Sequence, residues 1–134
     1  MVYIVDDDQN VRDGFMMLLK SAGFKCCSFE SAEEFLKNYK TEANALLILD
    51  IHLPGMDGNS LLEYLEKIGL YLPVIIVTAY DEQTSRQTAK NYGALAFMRK
   101  PVDSEALIDL IKYNLEIQIP TNNNISSQTK RSNV

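Results

Sequence analysis

The sequence predicts an α/β protein, a doubly wound sheet of five parallel strands with helices on both faces. Three observations carry that expectation. Short apolar, β-branched runs alternate five times with longer amphipathic stretches; the runs are continuous in apolar residues, as suits strands buried on both faces; and Ser, Asp and Gly stand at the junctions where helices must start or stop.

In order along the chain, Val2 to Val5 reads as the first strand. Val11, Phe15, Leu18, Leu19 and Ala22 then form one stripe at helical spacing, closed by Gly23. Phe24 to Ser28 is the second strand. The segment Ser31-Ala-Glu-Glu34 opens the second helix, with a serine hydroxyl and a glutamate carboxylate available for its free amides, and the helix runs to about Tyr39. Ala45 to Leu49 is the third strand, and Gly58 to Ile68 the third helix, capped by Asp57, with Leu61, Leu62 and Leu65 inward. Val74 to Val77 is the fourth strand. Asp81 is the expected cap of a fourth helix ending at Gly93. Ala94 to Met98 is the fifth strand, and Asp103 caps a last helix through about Leu115.

The chain has 134 residues, of which 46% are hydrophobic, enough for one core without disulfides. The folded part is expected over 1–119, followed by a flexible polar tail or linker over 120–134, rich in Asn, Ser, Thr and Gln. The net charge of -5 leaves no electrostatic footprint for direct nucleic-acid binding by this chain. Cys26 and Cys27 are adjacent in an apolar run and read as reduced, packed thiols. No apolar run is long enough to span a bilayer and no signal segment opens the chain, so a cytoplasmic protein is expected.

In an open parallel sheet, ligands bind beyond the carboxyl ends of the strands. There the first strand delivers Asp6, Asp7 and Asp8, the third Asp50, the fourth Thr78 and the fifth Lys100. Clustered carboxylates repel unless a proton or a cation intervenes, and oxygen-only ligands point to Mg²⁺, which combines a few carboxylates with water and phosphate oxygens. With Lys100 and Mg²⁺ neutralising a phosphoryl group and Thr78 donating to it, Asp50 is placed as an in-line nucleophile.

Four blocks, Val5-Asp6-Asp7-Asp8, Leu49-Asp50-Ile-His-Leu-Pro54-Gly-Met56-Asp57-Gly58, Val77-Thr78-Ala79 and Phe97-Met-Arg-Lys100-Pro101, together resemble the response-regulator receiver family over essentially the whole folded part. The resemblance implies a flavodoxin-like (βα)5 fold with strand order 2-1-3-4-5. It makes Asp50 the phosphoacceptor and Asp7 a direct Mg²⁺ ligand, with Asp6 acting through water and His52 through its backbone carbonyl. Thr78 and Lys100 are then the phosphoryl contacts, and Ala79 leaves access open. Beside the resemblance, His52 at the edge of the site reads either as a modulator of dephosphorylation together with Tyr80 or as a plain loop residue. The resemblance also implies a cis peptide before Pro101, and a switch in which Thr78 moves and Phe97 rotates inward, held by packing alone since it lacks a hydroxyl.

The fourth helix has few apolar anchors and poor helix formers, which suits a mobile switch element. Ile108, Ile111 and Leu115, with Ile117 and Ile119 beyond, exceed one sheet-facing stripe, and the family's habits point to a homodimer through the fourth helix, fifth strand and fifth helix. The implied partner is a sensor histidine kinase, and the sequence around Ser28 to Phe35 is similar to receivers joined to helix-turn-helix transcription factors.

Blander or rival readings are weighed on the same residues. Asp8, Asp57 and Asp103 are expected as helix caps rather than ligands. An aspartyl phosphohydrolase would want an acid two residues after the nucleophile, where His52 stands. A nucleotide- or flavin-binding domain would want a Gly-rich loop after the first strand, which carries acids instead. An interaction module that is never phosphorylated is the remaining alternative, and the complete set of site residues argues against it.

Overall fold

The computed structural model describes residues 1–40, 43–80 and 82–118. Ten elements alternate along the chain: β1 (Val2–Val5), α1 (Gln9–Ser21), β2 (Cys26–Phe29), α2 (Ala32–Asn38), β3 (Leu46–Leu49), α3 (Gly58–Lys67), β4 (Val74–Thr78), α4 (Gln83–Tyr92), β5 (Ala96–Arg99) and α5 (Ser104–Gln118). The strands form one parallel sheet in the order β2-β1-β3-β4-β5, as expected.

Strand alternation divides the core into two layers. Tyr3, Val5, Leu47, Leu49, Val74 and Ile76 face α2, α3 and α4, meeting Phe35, Leu61, Leu62, Leu65 and Ala89. Val2, Ile4, Leu46, Ile48, Ile75 and Val77 face α1 and α5, meeting Phe15, Leu19, Leu107, Ile111 and Leu115. Because β1 and β3 are neighbours with Val5 opposite Leu49, Asp6 and Asp50 leave the sheet side by side. That is the point where strand order reverses, and the register of the core therefore places the site.

The helix starts follow the cap reading. Asp8 accepts from the amides of Asn10 (2.8 Å) and Val11 (3.3 Å), Asp57 from Ser60 (2.9 Å) and Asp103 from Ala106 (3.1 Å). Ser31 accepts from the Glu34 amide at 3.0 Å, but only this half of the expected capping box forms, the Glu34 carboxylate accepting from Asn38 Nδ2 instead. At α4 the cap position is Glu82, which makes no side-chain cap bond; Asp81 lies outside the described residues.

Several boundaries differ from expectation. Phe24 and Ala94 do not begin strands, because their amides close the preceding helices, onto Leu19 and Ala89 carbonyls at 3.0 and 2.9 Å. The strands accordingly start at Cys26 and Ala96. Thr78 belongs to β4 rather than following it, and α5 continues to Gln118. The apolar excess on α5 is also resolved differently. Ile111 and Leu115 are buried and Ile108 is half-buried against the same layer, so all three contribute to the core. The Ile117 side chain, Ile119 and the 120–134 segment lie outside the described residues. Both cysteines are free and half-buried. Among the described residues no helix is long and apolar enough to cross a membrane.

Candidate functional site

Each functional side chain is held by the element that delivers it. Asp6 follows β1 and is 2% exposed; its Oδ1 accepts from the Asp8 amide at 3.0 Å, and its backbone carbonyl accepts from Arg12 Nη1 at 2.8 Å. Asp50 follows β3 and is 6% exposed, its Oδ1 accepting from the His52 amide at 3.0 Å. Lys100 follows β5, where the Lys100–Pro101 peptide is cis. Its ammonium donates to Asp6 Oδ2 at 2.7 Å and to Asp50 Oδ2 at 3.0 Å.

Asp7 is exposed at the rim, and one carboxylate oxygen from each of Asp6, Asp7 and Asp50 lies within 4.8 Å of the others. At that separation and an effective dielectric of about 20, each pair of charges repels by about 3 kcal/mol. Lys100 offsets one charge of the three. Burial pushes the Asp50 carboxyl above its usual value, against the opposing pull of the His52 amide and of Lys100, and the Asp6 charge adds to the rise. Burial alone would lower Lys100, but its bonds to Asp6 and Asp50 outweigh it and hold the ammonium above its ordinary value. A cluster of hard oxygens with surplus negative charge fits a divalent cation.

Thr78 is fully buried at the end of β4, its hydroxyl accepting from the Tyr80 amide at 3.3 Å and its carbonyl from the Lys100 amide at 2.8 Å. Ala79 and Tyr80 are exposed beyond it. Phe97 is half-buried in β5 and packs against the layer of α2, α3 and α4. The Arg86 guanidinium of α4 also sits 4.8 Å from its ring centroid.

His52 stands at the mouth. Its Nε2 is 2.6 Å from Glu82 Oε1, and its ring meets Tyr80 edge-on with centroids 4.9 Å apart. Sequence reasoning singled out His52 and Tyr80 but not Glu82, Arg12 or Arg86. Their partners lie on other elements, so spacing along the chain carries no signal of the pairing. The loop from Ile51 to Asp57 is tied back by the Gly58 amide, which donates to the Ile51 carbonyl at 2.9 Å. An apolar groove of about 530 Å³ runs beside Lys100 between α1 and the β5–α5 turn, lined by Val11, Phe15, Leu18, Pro101 and Val102.

Similar proteins share this arrangement's scaffold. The chain is 38% identical over 133 residues to the DNA-binding transcriptional regulator NtrC of Klebsiella pneumoniae, covering 96% of this chain and 28% of that protein. It therefore spans little more than a quarter of that relative's length. Among solved structures, the response regulator StyR superposes with a TM-score of 0.78 at 39% identity, covering 87% of this chain and 59% of that one. A CheY-like response regulator receiver domain protein from Methanospirillum hungatei gives a TM-score of 0.77 at 32% identity, covering 87% and 94%. Residues 2–112 match the family model described as the response regulator receiver domain, and with the parallel sheet and its acidic edge in place the chain belongs to the receiver-domain family of two-component response regulators.

Proposed function

We propose that this chain is a phosphoacceptor switch: Asp50 takes a phosphoryl group from the phosphohistidine of a sensor kinase and thereby changes a protein-interaction surface. The observation that carries the reading is the Asp50 carboxylate itself. It is buried, oriented by the His52 amide on one oxygen and by Lys100 on the other, and surrounded by Asp6 and Asp7.

In this reading an Asp50 oxygen forms a bond to phosphorus as the bond from phosphorus to the donor imidazole nitrogen breaks, the electron pair leaving with the imidazole. The Lys100 ammonium is within reach of both carboxylates and neutralises charge on the transferred group. The Thr78 hydroxyl reorients from the Tyr80 amide to donate to it. Asp7, Asp50 and the His52 backbone carbonyl would hold Mg²⁺, with Asp6 acting through water. When bound, the ion supplies charge neutralisation for the acidic cluster and for the phosphoryl oxygens.

Arg86 over Phe97 gives α4 a direct handle on the aromatic residue of β5, so movement of Thr78 and Phe97 is read out at the α4–β5–α5 face. We place a phosphorylation-favoured homodimer contact on that face, where Tyr113 of α5 is 65% exposed. The groove beside Lys100 offers the phosphodonor a surface on which to dock. The relative named as a DNA-binding regulator supports a transcriptional output. No separate substrate is turned over; the chain hydrolyses its own acyl phosphate.

The test is intact mass after incubation with acetyl phosphate and Mg²⁺. One phosphoryl unit gained by the wild type, and absent from Asp50→Asn and from a chelated control, supports the reading. Absence of any adduct, with beryllium fluoride also failing to bind, leaves an interaction module that is never phosphorylated.

A further inference from the structure

We propose that Glu33, on α2, is a positioning residue of the phosphoryl site: it clamps the loop between β3 and α3 through the Met56 amide and so holds the His52 carbonyl ready for the cation. The inference rests on the functional reading above, and it adds a residue from a helix that contributes nothing else to the site.

Three observations converge. The Met56 amide donates to Glu33 Oε2 at 2.9 Å, a bond that spans 23 positions of sequence. The preceding residue, Gly55, has φ +73, and a Cβ there would stand 2.7 Å from the same carboxylate oxygen. The left-handed backbone favours glycine here, and the absence of a Cβ lets the carboxylate close on the loop; a larger residue would push the Glu33 side chain away from the Met56 amide. The Met56 amide also holds the Glu33 carboxyl below the usual carboxylate range, as expected when a hydrogen bond favours the charged form.

The clamp sits at the part of the loop that its other hydrogen bonds do not reach. One end of the loop is fixed by the His52 amide on Asp50 and the Leu53 amide on the Ile51 carbonyl (3.2 Å), the other by the Gly58 amide on Ile51. Among the described residues, Glu33 alone ties the Pro54-Gly55-Met56 tip to another element by a hydrogen bond. Its own base is rigid, since Ser31 caps α2 and Phe35 is fully buried beneath it. A backbone carbonyl that must coordinate a small, exacting cation benefits from such preorganisation, because an ordered loop loses less freedom when the ion binds.

The experiment compares wild type, Glu33→Ala and Glu33→Gln in the full chain, the glutamine keeping a carbonyl acceptor. Urea denaturation first establishes that each variant is folded. Hydrogen exchange of the Met56 amide and a Mg²⁺ titration followed by backbone NMR then read the clamp without any phosphoryl chemistry. In Glu33→Ala, Met56 exchange is expected to rise about tenfold and Mg²⁺ affinity to fall about threefold to tenfold, at the low end for outer-sphere residues because the bond is exposed. Glu33→Gln is expected to restore most of both. Unchanged Mg²⁺ affinity in Glu33→Ala, with normal binding by the wild type, overturns the clamp alone. If the wild type binds no Mg²⁺, the functional reading falls and the clamp's role with it. If it binds Mg²⁺ but forms no aspartyl phosphate, only the phosphotransfer reading fails.

Discussion

Replacing Gly58 by alanine adds one methyl group at the first residue of α3, where the helix meets the end of β3. By helix propensity alone the change should stabilise, by about 0.5–1 kcal/mol. The surroundings reverse the sign. A Cβ at this position stands 2.7 Å from Ile51 Cα, 2.9 Å from the Asp50 carbonyl oxygen and 3.0 Å from Ile51 Cδ1. Ordinary contacts lie at about 3.5–4.0 Å, so the helix must withdraw by about 1 Å from backbone that cannot yield cheaply. Overpacking of this kind costs about 1–3 kcal/mol. Stretching the Gly58 amide bond to the Ile51 carbonyl, 2.9 Å in the native chain, adds about 1 kcal/mol. The net expectation is a loss of about 1–3 kcal/mol and a Tm lower by about 4–12 °C. Gly14→Ala is the matched control: it lies inside α1, nothing is within 4 Å of its Cβ, and it should gain about 0.5–1 kcal/mol. Urea denaturation followed by circular dichroism, with m-values compared, measures both. A Gly58→Ala variant as stable as wild type would refute the claim that this contact sets the spacing of α3 from the acceptor loop.

Other perturbations test the electrostatics and the caps. Asp50 is raised in the folded state, so between its ordinary and its folded pKa the native chain holds more protons than the unfolded one, and stability falls as pH rises through that window. Asp50→Asn should therefore be more stable than wild type at pH 7, with the difference closing in acid; urea midpoints across pH give the answer, and a gap that widens in acid contradicts the sign. Lys100→Met leaves Asp6 and Asp50 without their shared cation and should cost about 2–4 kcal/mol at pH 7, part of it recovered by millimolar Mg²⁺ in thermal melts. Asp57→Ala removes the acceptor of the Ser60 amide and should cost about 1 kcal/mol, read from the urea midpoint at unchanged m.

Fold class and the residues that meet at the site were legible because each rests on a local signal, whereas the strand order came from the resemblance of the four blocks to the receiver family. A buried parallel strand must be a continuous apolar run, as in Leu46–Leu49, and a helix must begin with an acceptor, as at Asp8, Asp57 and Asp103. Once the strands are parallel and neighbours, the residue after each is delivered to one edge, so the sequence alone groups Asp6, Asp50 and Lys100. Strand starts were less legible. Phe24 and Ala94 are apolar enough for a strand, yet the carbonyls left over at a helix end claim their amides first.

What only the tertiary structure decided is which distant groups meet. The apolar side chains of α5 gave no hint of how many of them would reach the core, and Ile108, Ile111 and Leu115 all pack in the layer shared with α1. Glu33 on Met56, Glu82 on His52 and Arg86 on Phe97 each join two elements whose separation depends on the packing of whole helices against the sheet. Charges on solvent-facing turns have no period and no neighbouring motif, so their identity in sequence is uninformative until packing brings a partner within about 3 Å for a hydrogen bond, or a ring within about 6 Å for a cation.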